Sequence, residues 1–134
     1  MASHPAGVVA LATALALAPV ADSAEPSLLE GRTFQGELRD ARGMAQATDL
    51  ITFDNGRFLS LTCERMGFGA TPYWSRSEGN DVHFLVEAAH PEHGRLRIVG
   101  LVRGEQLQAD GEWTKERWYW TVRERIRFEA AEKR

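Results

Sequence analysis

From Phe34 onward, apolar and polar side chains alternate with a period of two rather than 3.6, and turn-forming residues recur about every 8 to 12 positions. That alternation predicts strands, because successive side chains of a strand point to opposite faces. Eight segments carry it: residues 33–39, 48–53, 57–63, 72–77, 82–88, 95–102, 106–114 and 118–128. Asp54-Asn55-Gly56 between the second and third is a hairpin signal, since Asn and Gly tolerate positive φ. In and just before the last segment Trp118, Trp120, Val122, Ile126 and Phe128 share one face, and Arg117, Tyr119, Thr121, Arg123, Arg125 and Arg127 share the other. The same reading turns Leu107, Ala109, Gly111 and Trp113 inward, with Leu96, Ile98, Gly100 and Val102, then Val82, Phe84 and Val86. On the third segment it places Leu59, Leu61 and Cys63 inside. Sequential antiparallel strands with one apolar face hide their edges most simply by closing into an eight-stranded up-and-down barrel; an open two-sheet β-sandwich is the alternative.

The N-terminal region follows a different pattern. Residues 8–20 (VVALATALALAPV) form an uncharged apolar run too short for a bilayer-spanning anchor, and small residues follow it, as in an export signal. Residues 1–24 are therefore expected to be a signal peptide, with cleavage leaving Ala24 or Glu25 first, and residues 25–134 a single β-barrel domain. No Cys follows the run, so a lipid anchor is not indicated. The expected compartment is the periplasm or the exterior.

Across 134 residues, 16 Lys and Arg stand against 19 Asp and Glu. The charges are scattered, which argues against a nucleic-acid partner. Cys63 is the only cysteine, so no intramolecular disulfide can form and stability must come from packing. Its thiol is either a buried inert group, half of an intermolecular bond, or a nucleophile that would need a nearby base.

Four positions stand out as candidate ligand contacts. Trp113, Trp118 and Trp120 would stack on adjacent strands, either lining a pocket or filling the core. Glu124 interrupts the apolar row between Val122 and Ile126; it either sits at a rim or orients a polar ligand group, because a buried carboxylate needs a partner. Phe68, flanked by Gly67 and Gly69, and Tyr73 and Trp74 beyond it mark a candidate barrel-mouth loop. His90-Pro91-Glu92-His93 is expected to be a solvated turn, since its spacing matches no structural zinc site. No metal or cofactor is expected. Ser-His-Asp context and a Gly-rich phosphate loop are both missing, so the chain is not expected to be an enzyme.

Leu28-Leu29-Glu30-Gly31-Arg32-Thr33-Phe34 resembles the opening strand of lipocalin-like proteins, with Phe34 three residues after Gly31 where that family's pattern has Trp two residues after Gly. The strand count and Trp-rich closing strands are similar to the wider calycin group of lipocalins, fatty-acid-binding proteins and avidins. The resemblance implies a barrel that binds a small apolar or amphipathic ligand in its interior. A competing expectation is a periplasmic protein-interaction module, such as a small-barrel protease inhibitor, acting through loops or the Arg-bearing outer face. Oligomeric state is not fixed by the sequence.

Overall fold

A computed structural model of the chain describes residues 27–134. The expected signal segment, residues 1–24, lies outside the described residues. Eight strands succeed one another: β1 (Thr33–Asp40), β2 (Ala45–Asp54), β3 (Arg57–Ser60), β4 (Thr71–Glu78), β5 (Asp81–His90), β6 (Gly94–Arg103), β7 (Gln106–Glu116) and β8 (Thr121–Glu132). One short helix, α1 (Leu61–Arg65), separates β3 from β4. Every strand pairs antiparallel with its neighbours, and β1 pairs with β8 from Phe34↔Glu132 to Asp40↔Ile126. The sheet is therefore the expected closed up-and-down barrel and not the open sandwich.

Burial follows the period of two. Val82, Phe84 and Val86 of β5, Leu96, Ile98 and Val102 of β6, and Leu107 and Ala109 of β7 are all buried. Phe53 of β2 occupies the middle of the interior. Its ring meets Phe34, Phe58, Tyr73 and Phe84 edge-on, with centroids 6.0, 5.6, 5.0 and 5.1 Å away. An eight-stranded barrel is just narrow enough for side chains to fill, and this one is filled by phenylalanines. Gly100 makes that filling possible: it stands opposite Phe84 in the β5–β6 register, and a Cβ there would overlap the Phe84 ring. Gly100→Ala should cost about 1–3 kcal/mol by overpacking. The check is a lower urea midpoint with unchanged slope; an unchanged midpoint would mean that the ring has room to yield.

The third expected strand needs correction. β3 stops at Ser60; Phe58 and Ser60 are buried, while Leu59 and Leu61 are half-buried. Ser60 leaves the strand as the N-cap of α1, its Oγ accepting the Cys63 N–H at 3.1 Å. A Schellman motif ends the helix: Phe68 N–H donates to Cys63 O at 2.9 Å and Gly67 N–H to Glu64 O at 3.0 Å, with Gly67 at φ +101°. Cys63 and Phe68, brought together by this motif, both join the core. Gly67 serves a second purpose, since a Cβ there would overlap the His93 imidazole.

In an up-and-down barrel, alternate connections fall at opposite ends. The β1–β2, β3–β4, β5–β6 and β7–β8 connections share one end, the mouth. Opposite it, residues 27–32 form a plug whose Leu29 is wholly buried. The plug is tied by Gly31 N–H to Phe53 O (2.7 Å), by the Tyr73 hydroxyl to Glu30 (2.6 Å) and by Arg32 to Glu132 (2.9 Å). The bond from Tyr73 holds the Glu30 carboxyl below the usual carboxylate range, while burial, then that carboxylate, push the Tyr73 hydroxyl up to about 12. Outside, direct cross-strand neighbours form ion pairs: Arg97 with Glu87, Arg103 with Asp81 and Arg127 with Asp110, at 3.2, 2.9 and 3.2 Å. Apolar inside and ionic outside is the reverse of a barrel whose outer face meets lipid. Among the described residues no helix is long and apolar enough to cross a membrane.

Candidate functional site

Because the middle of the barrel is filled and its far end plugged, the room that remains is at the mouth. There, inward side chains run out before the strands do, and an open cleft of about 780 Å3 results. Leu38 of β1, Met66 after α1, Trp113 of β7 and Ile126 of β8 supply its apolar floor. Asp40, Arg42 and Gln46 from the β1–β2 side and Arg123, Glu124 and Arg125 from β8 supply its rim.

These groups are not equally available to a ligand. Asp40 is committed to its own loop, accepting the Arg42 and Met44 N–H groups at 2.9 and 3.0 Å and the Gln46 amide at 2.9 Å. The bond from Met44 leads in keeping its carboxyl below the ordinary range. Arg125 lies 3.9 Å from Glu112. Arg42 and Arg123 are exposed and form no ion pair among the described residues. Trp113 is fixed in place: its Nε1–H donates to His93 O at 2.7 Å, and the half-buried indole packs against the core. The cleft thus offers an apolar surface beside Arg123 and beside Arg42, whose charge also reaches the Asp40 carboxylate.

The structure brings two of the expected ligand contacts together. Trp113 and Glu124 are direct partners across β7 and β8, and both line the cleft. Glu124 is exposed, so it is a rim group and not a buried carboxylate. Trp118 and Trp120 are elsewhere: β8 begins at Thr121, which leaves them in the β7–β8 loop, 93% and 50% exposed. Their inward parity runs past the rim, where there is no wall left to line. The expected mouth loop also needs correction. Phe68 is drawn into the core by the Schellman motif, Tyr73 faces the plugged end, and Trp74 is exposed. From that stretch it is Met66 that reaches the cleft.

A polar cluster behind the cleft has no counterpart in the expectations above. Asp49 of β2 is 4% exposed. One of its oxygens accepts the Ser60 hydroxyl at 2.6 Å, and the other accepts the Thr62 N–H at 3.1 Å and the Leu50 N–H at 2.8 Å. The carboxylate and the Ser60 hydroxyl together satisfy two first-turn N–H groups of α1, which no backbone carbonyl can do. Asp49 shares a face with Ile51 and Phe53, so the period of two already places it inside. Its partners on β3 and α1 are separated from it by a hairpin and carry no pattern that points back.

Cys63 belongs to this cluster. Burial, opposed by the Ser60 hydrogen bond and reinforced by the Asp49 charge, pushes its thiol up to about 11. A protonated, 3% exposed thiol is a poor nucleophile. Cys63 is therefore expected to react with a thiol reagent only when the barrel opens, at a rate that levels off at the opening rate as the reagent is raised. Fast native-state labelling would contradict this. Between about pH 9 and pH 11 the unfolded chain loses the thiol proton while the folded chain keeps it, so the contribution of Cys63 to stability is lost over that window.

His90, Glu92 and His93 bring three potential ligand atoms within 4.8 Å of one another at the β5–β6 turn. His90 Nδ1, however, accepts the Glu92 and His93 N–H groups at 3.0 and 3.3 Å. Neutral imidazole with Nδ1 accepting carries its proton on Nε2, so His90 has no lone pair left for a cation unless the turn gives up both bonds. Its role is to cap the turn.

Fold and cleft together define a filled eight-stranded barrel, plugged at one end and open to an apolar, basic-rimmed cleft at the other. No family model, curated protein or solved structure matches this chain.

Proposed function

We propose that the chain is a small exported binding protein that holds one amphipathic ligand at the barrel mouth, its apolar part on Leu38, Met66, Trp113 and Ile126 and an anionic head toward Arg42 and Arg123. The observation that carries this reading is the cleft of about 780 Å3 with its apolar floor and with Arg42 and Arg123 on its rim. It is read as a binding protein because the cleft sets basic side chains beside an apolar floor, while Cys63, the sequence's one thiol, is buried and protonated and so supplies no nucleophile there. Export rests on the apolar run at residues 8–20 and is checked by the mass of the recovered protein, which should begin at Ala24 or Glu25.

Titration with dodecanoate and dodecanol tests the site. Dodecanoate is expected to quench or shift Trp113 emission and to bind more tightly than the alcohol. Trp113→Ala should weaken it about tenfold or more, the loss of one aromatic contact. Ile126→Trp should fill the cleft and abolish binding while the barrel stays folded. Equal binding by all three proteins, or none by the parent, would end the proposal. The phenylalanine-filled interior favours the second reading, a protein-interaction module, in which case the recovered protein carries no small-molecule adduct in native mass spectrometry.

A further inference from the structure

The β7–β8 loop is unlike the rest of the surface. Trp118, Tyr119 and Trp120 stand at its tip with 93%, 55% and 50% of their surface exposed. The Trp118 and Trp120 rings pack edge-on against Tyr119, with centroids 4.4 and 3.8 Å away, so the three form one projecting knob. Met44, 62% exposed, sits on the β1–β2 loop, which is adjacent because β1 pairs with β8. Among the described residues nothing covers these side chains, and such a contiguous aromatic projection is costly in water unless it meets a partner.

Charge says which partner. Lower on the wall, Arg97, Arg103 and Arg127 each have a cross-strand carboxylate. At the mouth, Arg42, Arg65, Arg95, Lys115, Arg117 and Arg123 have none within ion-pair distance among the described residues. Glu64, Glu92, Glu116, Glu124 and the loop-bound Asp40 lie among them, so six unpaired bases stand against five acids. Trp and Tyr are the side chains that settle at the level of lipid headgroups, apolar body inward and polar edge to water, and Lys and Arg beside them attract anionic lipid.

We propose that this end of the barrel docks on an anionic bilayer surface, with the Trp118–Tyr119–Trp120 knob entering the headgroup layer and the surrounding bases contacting lipid phosphates. Both ends of the described chain are at the opposite pole and so stay clear of the membrane. Docking requires no ligand in the cleft, so it stands or falls independently of the proposed function.

The test is partitioning of the ligand-free protein, as recovered from the producing cells, onto phosphatidylcholine vesicles with and without phosphatidylglycerol. Binding is expected to the anionic vesicles, to fall severalfold at high salt, and to bring a blue shift of tryptophan emission with quenching by brominated lipid. Trp118→Ala/Trp120→Ala should lower partitioning about tenfold or more, whereas Trp74→Phe, far from the mouth, should leave it unchanged. Arg117→Glu/Arg123→Glu should remove the preference for phosphatidylglycerol while circular dichroism shows the barrel intact. No binding to either vesicle, equal binding by both double variants, or a dimer in solution that Trp118→Ala/Trp120→Ala dissolves would overturn the proposal, the last by making a second copy of the chain the occupant.

Discussion

Asp49→Ala is expected to destabilise the barrel by about 2–4 kcal/mol, because it deletes the acceptor that several buried donors share. The wild-type carboxylate accepts from the Ser60 hydroxyl and from the Thr62 and Leu50 N–H groups. Alanine leaves the Thr62 N–H without an acceptor, and each buried donor so orphaned costs about 1–3 kcal/mol. The loss of Ser60's partner then reaches α1, because the same hydroxyl accepts the Cys63 N–H. Against a typical domain stability of about 5–15 kcal/mol this is a large fraction, and chemical denaturation measures it directly. Asp49→Asn separates shape from chemistry. Its amide has the same outline but offers two donors where every neighbour already donates, so it should recover less than half of the loss. If Asn were fully stable, the carboxylate would be filling space and not holding the helix. Ser60→Ala should cost less than Asp49→Ala, and the double variant less than the sum, since the two groups act on one network.

How far the sequence carries differs from element to element, for physical reasons. β5, β6 and β7 are readable because each strand has water on one side and core on the other, so in β5 the buried Val82, Phe84 and Val86 alternate with the less buried Asp81, His83, Leu85 and Glu87. The stretch from Leu59 to Cys63 has the same period but a different fate. Leu59, Leu61 and Cys63 imitate a strand face, yet Ser60 is a helix cap and Gly67-Phe68, seven residues on, is the Gly-hydrophobic pair of a Schellman motif. Two end signals that close together describe a single helical turn, and they outweigh the alternation between them. Trp118 and Trp120 show a second limit. Parity says which way a strand residue points but not where the strand stops, and β8 stops at Thr121. Trp113 and Glu124 are placed in the cleft by parity and register alone, both local properties. Leu38 and Arg42 join them only through closure of β1 on β8, a contact between the two ends of the domain that no local pattern records, and Met66 through the turn that ends α1.

Phe53→Ala is expected to cost about 3–5 kcal/mol, as large aromatic deletions from packed cores do. The position is severe because four aromatic neighbours converge on it. Phe34, Phe58, Tyr73 and Phe84 all present edges or faces to this one ring, and Phe58 and Phe84 also stack on each other at 6.1 Å. Removing the ring opens a hole that these neighbours, anchored on β1, β3, β4 and β5, can close only by pulling the wall inward. The β3–β4 ladder is where the wall should give, since it has only two paired positions, Arg57↔Pro72 and Phe58↔Thr71. Phe53 also holds the plug from its backbone, accepting the Gly31 N–H and donating to Arg32 O, and alanine keeps both bonds. Hydrogen exchange can therefore distinguish two responses. If the cavity is the cause, protection should fall first at β3 and β4 and persist at residues 31 and 53. Uniform loss across all eight strands would mean that the aromatic cluster is the cooperative centre of the whole barrel. Phe53→Leu, which keeps much of the volume but loses the edge contacts, should recover about half of the stability; full recovery would show that volume alone matters and that the aromatic geometry adds nothing.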